Sequence, residues 1–295
     1  MKRIITLTVA ILSAVSLLAQ KLPVKWEELS AVEFSEAVNQ SSKVAIIPMG
    51  VLEKHGPQLP LGTDVYTARE LSIRAAEIEY AVVFPWYYFG QINEAKHQPG
   101  TLSYSPELIW KMLQETLDEI HRNGFDKIIL ISGHGGNKAF LEYFCQCQLA
   151  ETRGYSVYWY QQKYNPEMLK KAEALSMHDP NEMHAGNRET SMVKAIVPDR
   201  VHTELADSQD ASNRKRLSNL SSIYTGIWWY ARYPNHYAGD GSKATAEAGE
   251  IILESTSEAF AKVIRSVKED RNVPALTQQF YQEAANPLAT PQPYE

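Results

Sequence analysis

Apolar and polar positions follow two rhythms along the chain. Continuous apolar runs, bounded by Gly, Pro or charge, occur at Val44-Ala-Ile-Ile47, 81–85, Ile128-Ile-Leu-Ile131 and 155–160. Short runs with no polar face predict strands buried on both sides. Between them the apolar positions recur at helical spacing. Leu71, Ile73, Ala75 and Ile78 predict a helix over 64–79. Leu108, Ile109, Met112, Leu113, Leu117 and Ile120 are the expected buried stripe of another, opened by Ser105-Pro106-Glu107 and ended at Gly124. Further helices are expected over 26–39, 138–153 and 166–177, from the 184–191 segment to before Pro198, and from 246 to about 268. The proline-containing tail after Asn272 is expected to be extended or poorly ordered. Strands alternating with helices predict an α/β fold with a mostly parallel sheet covered on both faces.

The N-terminus departs from this rhythm. Met1-Lys-Arg3 is basic, residues 4–18 are apolar apart from Thr6, Thr8, Ser13 and Ser16, and Ala19 precedes Gln20-Lys21. This reads as a secretory signal peptide cleaved after Ala19, with cleavage after Ser16 or an uncleaved anchor as alternatives. The mature chain, residues 20–295, is then exported, to the periplasm or the medium. Loss of Lys2 and Arg3 takes the formal charge from −6 to −8. That balance argues against nucleic-acid binding, which leaves a basic footprint. No other stretch is apolar and long enough to cross a bilayer, so no stable membrane insertion is expected after signal removal. Cys145 and Cys147 stand two apart in an expected helix, where side chains diverge, so they are not expected to pair.

In parallel-sheet folds ligands gather beyond the carboxyl ends of the strands. Two loops with chemistry lie there. After the first apolar run, Glu53, His55 and Asp64 are packed into a Gly- and Pro-rich segment. Glu and His two apart point the same way on an extended backbone, and two carboxylates with an imidazole suit a divalent metal; a polar surface loop is the alternative. After the third run comes Gly133-His-Gly-Gly-Asn137.

Three segments together, Leu52-Glu-Lys-His-Gly-Pro-Gln-Leu-Pro-Leu-Gly-Thr-Asp64, Ser132-Gly-His-Gly-Gly-Asn137 and His184-Ala-Gly-Asn-Arg-Glu-Thr-Ser191, resemble the creatininase (creatinine amidohydrolase) family. Pro99-Gly-Thr101 and Gly239-Asp-Gly-Ser-Lys-Ala-Thr-Ala246 are weaker echoes, and the resemblance spans residues 43–250. It implies a single domain with a three-layer α/β/α fold, two divalent metal ions (zinc, manganese or iron) and a small-molecule substrate cleaved at a non-peptide C–N bond, often in a ring. It also implies a homo-oligomer, frequently a hexamer. On that pattern Glu53 and His55 each bind one metal, Asp64 bridges both and His134 completes one shell. Glu189 is a further ligand or acid/base, and His184 is the proton-transfer histidine. Two metals sharing a carboxylate lower the pKa of a shared water from ~16 to about 7, giving hydroxide at neutral pH. His184 then hands a proton to the leaving nitrogen.

Structural alternatives exist: His134 as a turn histidine, His184 as a satisfied core histidine, Glu189 as an acid at a helix N-terminus. Glu94 and His97 either line the pocket or lie on loop surface; His178, His202 and His236 carry no assigned role; Trp228 and Trp229 are assigned to core or subunit interface. The chain also departs from the family pattern. Gly136 stands where creatininase proper has a glutamate, which argues against creatinine itself; Lys54, Gln58, Asn187 and Ser132 replace other usual residues. The expected function is an exported, binuclear-metal amidohydrolase acting on a small cyclic amide or related compound. The alternatives are opening of an inosose-type cyclic ketone at a C–C bond, or a non-catalytic binder of metal or ligand.

Overall fold

The computed structural model describes residues 22–176 and 182–291, so the expected leader and His178 lie outside the described residues. In chain order the elements are α1 (Ala31–Gln40), β1 (Val44–Met49), α2 (Thr63–Ile78), β2 (Val82–Val83), α3 (Pro106–Arg122), β3 (Lys127–Ser132) and α4 (Lys138–Cys147). They continue with β4 (Ser156–Tyr160), α5 (Pro166–Ser176), α6 (Asn187–Ile196), α7 (Trp228–Arg232), α8 (Ala246–Glu269) and α9 (Asn272–Ala284).

The four strands form one parallel sheet in the order β2-β1-β3-β4. Ile46 pairs with Val83 on one side and Ile129 on the other. The alternation of side chains along each strand splits the apolar runs between two cores. Val44, Ile46, Ile129 and Ile131 meet Leu71 of α2, Met192 of α6 and Leu253, Phe260 and Ile264 of α8. Ala45, Ile47, Met49, Ile128 and Leu130 meet Ala37 of α1, Leu113 and Leu117 of α3, and Leu141 and Phe144 of α4. The result is the three-layer α/β/α arrangement read from the runs. Ser105 caps α3, its hydroxyl accepting from Leu108 N at 3.3 Å. At the opposite end from the site loops, Lys127 Nζ donates to the carbonyls of Val267, Lys268 and Asp270 at 2.7–2.9 Å, capping α8 with charge and tying it to β3.

Several expectations are corrected. The helix over 26–39 divides into a 3₁₀ turn, Trp26–Glu28, and α1, because the Ser30–Glu33 capping box starts a new helix. The helix from Lys138 ends at Cys147 and continues only as a 3₁₀ turn, Gln148–Ala150. Ile78 and Leu108, expected in buried stripes, are exposed at the ends of their helices. The tail is helical: Pro274 sits in the first turn of α9, where its missing N–H costs no hydrogen bond, and Tyr281 OH donates to Gln148 O at 2.7 Å. Among the described residues no helix is long and apolar enough to cross a membrane.

Candidate metal centre

The carboxyl ends of β1 and β3 close against the first turn of α2. A Cβ on Gly50 would stand 2.6 Å from Val65 N, and one on Gly133 would collide with the Asp64 carbonyl. Only glycine at both places lets the two strand ends approach the same helical turn, which fixes Asp64 between the loop after β1 and the loop after β3. Glu53, His55, Asp64 and His134 are all buried there, and His184 joins them from the segment before α6.

Each histidine is oriented by its second nitrogen. His134 Nε2 lies 2.9 Å from the Gln91 carbonyl, so it carries the proton and donates. Nδ1 is left facing Glu53 Oε1 at 2.7 Å and Asp64 Oδ2 at 3.4 Å. In His55, Nδ1 donates to the Glu53 carbonyl at 3.3 Å, and Nε2 faces Asp64 Oδ1 at 3.0 Å. Asp64 therefore presents one oxygen to His55 and the other to His134. His184 Nε2 donates to the Lys54 carbonyl at 2.9 Å, and its ring lies against that of His55 with centroids 4.2 Å apart.

Burial opposes charge on His134 and His55, but the adjoining carboxylates outweigh it. Glu53 chiefly lifts His134 to about 9, and Asp64 chiefly lifts His55 to about 10. Burial also opposes the Glu53 carboxylate, yet the charge of His134 and the hydrogen bond from His236 hold it well below the usual range. Burial pushes Asp64 up, with the Glu53 charge adding to the shift. His184, away from direct carboxylate contact, is pushed down to about 4 by burial and by the charge of His55.

Among the described residues two groups have ligand atoms within 4.8 Å of one another: Glu53, Asp64 and His134, and Glu53, His55 and His184. Glu53 belongs to both. Glu53 Oε1 and Asp64 Oδ2 are buried and accept no hydrogen bond. Leaving two buried carboxylate oxygens unsatisfied is costly in a protein interior, and a divalent cation between them and the imidazole nitrogens removes that cost. The mixed N/O donor set fits zinc, manganese or iron. Glu189 stands apart from both groups: in the first turn of α6, its Oε2 accepts from Ala185 N at 2.5 Å. It does line the cavity of about 520 Å³ that opens over the cluster, as do Trp228 and Trp229.

Two participants carried no signal that the sequence reading used. His236 Nε2 donates to Glu53 Oε2, and Trp229 donates its indole N–H to His236 Nδ1 at 2.8 Å. Trp229, assigned to core or interface, is a buried wall of the cavity and sets the His236 tautomer. Glu182 accepts from the backbone N–H groups of Asn187 and Arg188 at 2.7 and 3.0 Å, capping α6 from outside the helix. The nearest sequence cue to His236 is the weak echo beginning at Gly239.

Known proteins resemble this chain in sequence and fold. The family model described as creatinine amidohydrolase matches residues 27–264. The creatinine amidohydrolase of Pseudomonas putida is 27% identical over 257 residues, covering 81% of this chain and 95% of that protein. The mycofactocin precursor peptide peptidase of Mycolicibacterium smegmatis is 28% identical over 244 residues, covering 81% and 91%. A solved creatininase structure with manganese superposes with a TM-score of 0.71 at 22% identity, covering 84% of this chain and all of that one. With the family model matched across both cores and the whole histidine–carboxylate cluster, the chain belongs to the creatininase family of amidohydrolases.

Proposed function

We propose that the protein is an exported, binuclear-metal-dependent amidohydrolase that cleaves a C–N bond of a small molecule. The observation that carries the reading is the pair of buried, unsatisfied oxygens, Glu53 Oε1 and Asp64 Oδ2, both turned to His134 Nδ1 at the floor of an open cavity. In this reading Asp64, whose two oxygens face His55 and His134, would hold the ions together with those two histidines. Glu53 completes the set, held by His236, and Glu189 is the further acid at the cavity wall. The manganese form of a structural neighbour and the N/O donor set both support a divalent ion. Bound divalent ions supply Lewis acidity, which lowers the pKa of water and polarises a carbonyl.

The chain's own residues do the rest. His184 commits its Nε2–H to the Lys54 carbonyl, so Nδ1 keeps the lone pair that can take up a proton and return it to a leaving nitrogen. The fixed ring positions of His55, His134 and His236 hold the carboxylates without reorganisation during reaction. Trp159, Trp228 and Trp229 give the cavity aromatic walls that limit bulk water around the reacting bond. Export rests on the leader-like residues 1–19, and a homo-oligomer, in hexamer form, rests on the family pattern.

The test is metal content by mass spectrometry of the purified mature protein, with turnover of an amide panel before and after chelation. Two equivalents per chain, lost together with turnover in Asp64→Asn, are expected. Amide hydrolysis undiminished in a metal-stripped protein would falsify the proposal.

A further inference from the structure

The cavity over the metal centre does not end at His134. A second cavity of about 590 Å³ adjoins it, and Glu94 and Gly136 line both. Gly136 is the threshold between them. A Cβ there would stand 3.0 Å from Glu94 Oε1 and run into the His134 ring, so only glycine lets the backbone pack against that ring where the two cavities meet. Gln91 Nε2 donates to Glu94 Oε2 at 2.9 Å, which anchors the carboxylate while Oε1 faces the threshold. Beyond it Ala139 and Phe140 from the start of α4 and Ile227 and Tyr230 around α7 form an apolar side, while Asn93, Lys96 and His97 form a polar one. An apolar and aromatic side facing a few polar groups, with an anchored acid at the entrance, is the make-up of a small-molecule subsite.

We propose that the substrate spans both cavities. It is an open-chain amide whose C–N bond lies at the histidine–carboxylate cluster, whose ammonium or N–H group is received by Glu94 at Gly136, and whose aromatic or apolar end lies between Phe140 and Ile227. This rests on the amidohydrolase reading and narrows its substrate class. A partly buried carboxylate with one oxygen anchored by Gln91 selects a cation or N–H donor over an anion, because a charge-assisted hydrogen bond offsets its desolvation. The reaction is hydrolysis: water gives its oxygen to the carbonyl carbon and a proton to the departing amine as the C–N bond breaks.

Phenylalaninamide and glycinamide share the ammonium and the amide, and differ by the ring. With the manganese-loaded protein, the ring is expected to raise kcat/KM by at least roughly tenfold, from the apolar area it buries. Ile227→Arg and Ala139→Phe, both at solvent-exposed positions in the far walls, should erase that margin by slowing phenylalaninamide. Phenethylamine has no bond to hydrolyse and reads the subsite by calorimetry alone; its affinity should fall about tenfold in either wall variant and in Glu94→Gln, the loss of one buried contact. Equal rates for the two amides, or phenethylamine affinity unmoved by all three variants, overturns the proposal. If neither amide is cleaved while phenethylamine binding still follows the wall variants, the subsite stands and the amidohydrolase reading is what fails.

Discussion

The indole nitrogen of Trp229 lies 2.8 Å from Nδ1 of His236 and donates to it. Indole N–H is a donor only, so Nδ1 is the acceptor and Nε2 bears the proton directed at Glu53. Through one intermediate ring, a cavity-wall tryptophan sets how a cluster carboxylate is presented. Trp229→Phe keeps the bulk of the wall and removes the donor. Metal affinity is expected to fall about 10–100-fold, the usual effect of losing an orienting partner. Competition with a chelator of known affinity measures it; unchanged affinity would show that Glu53 is held without His236.

His184 is closer to the cluster than a distant proton shuttle need be, since it shares a ligand group with Glu53 and His55. His184→Asn separates the roles. As a proton carrier its loss should leave metal content intact and lower kcat by about 10²–10⁴-fold. Metal content that falls in step with kcat would instead make His184 a ligand.

The approach of β3 to α2 leaves no room for a side chain at Gly133. Gly133→Ala must push the Asp64 backbone away from the strand end. A destabilisation of about 1–3 kcal/mol, the usual cost of overpacking, is expected in denaturant titration. Metal binding should weaken as well, because Asp64 is displaced. A neutral effect on both would mean that the loop after β3 yields freely.

Glu79 ties the end of α2 to α8 through Lys268 at 2.7 Å and Arg265 at 3.0 Å. Burial alone would raise its pKa, but these two cations outweigh it and hold the carboxyl below its ordinary 4.5. With the folded value depressed, the stabilisation is present above pH 4.5 and is lost as pH falls through the folded value. Glu79→Gln should therefore lower Tm near neutral pH, with the gap to the unsubstituted protein closing in acid. A gap that stays constant from pH 7 to pH 3 would contradict the assignment.

The sheet was legible because each strand is built on a short apolar run, and β3 extends the run Ile128–Ile131 by one residue at either end. The cluster residues were legible because Glu53, His55 and Asp64 share one short segment and His134 follows a strand end. His236 was not, because its partner Glu53 is far away in sequence and nothing local in Asn235-His236-Tyr237 marks it. Glu182 was obscured for a different reason: it caps α6 across a tight turn at Gly186, where the sequence shows no capping residue of the usual kind. The helical tail was hidden by Pro274, which acts as a breaker only when it lies deeper in a helix.

His236 reaches Glu53 across 183 residues of chain. Contacts that close so long a span form late, after local pairings have reduced the entropy of bringing the ends together. The cluster therefore exists only in the folded chain, and an unfolded chain has no site with which to capture an ion. A divalent ion therefore reaches a ligand set that folding has already completed, through the cavity that opens over it.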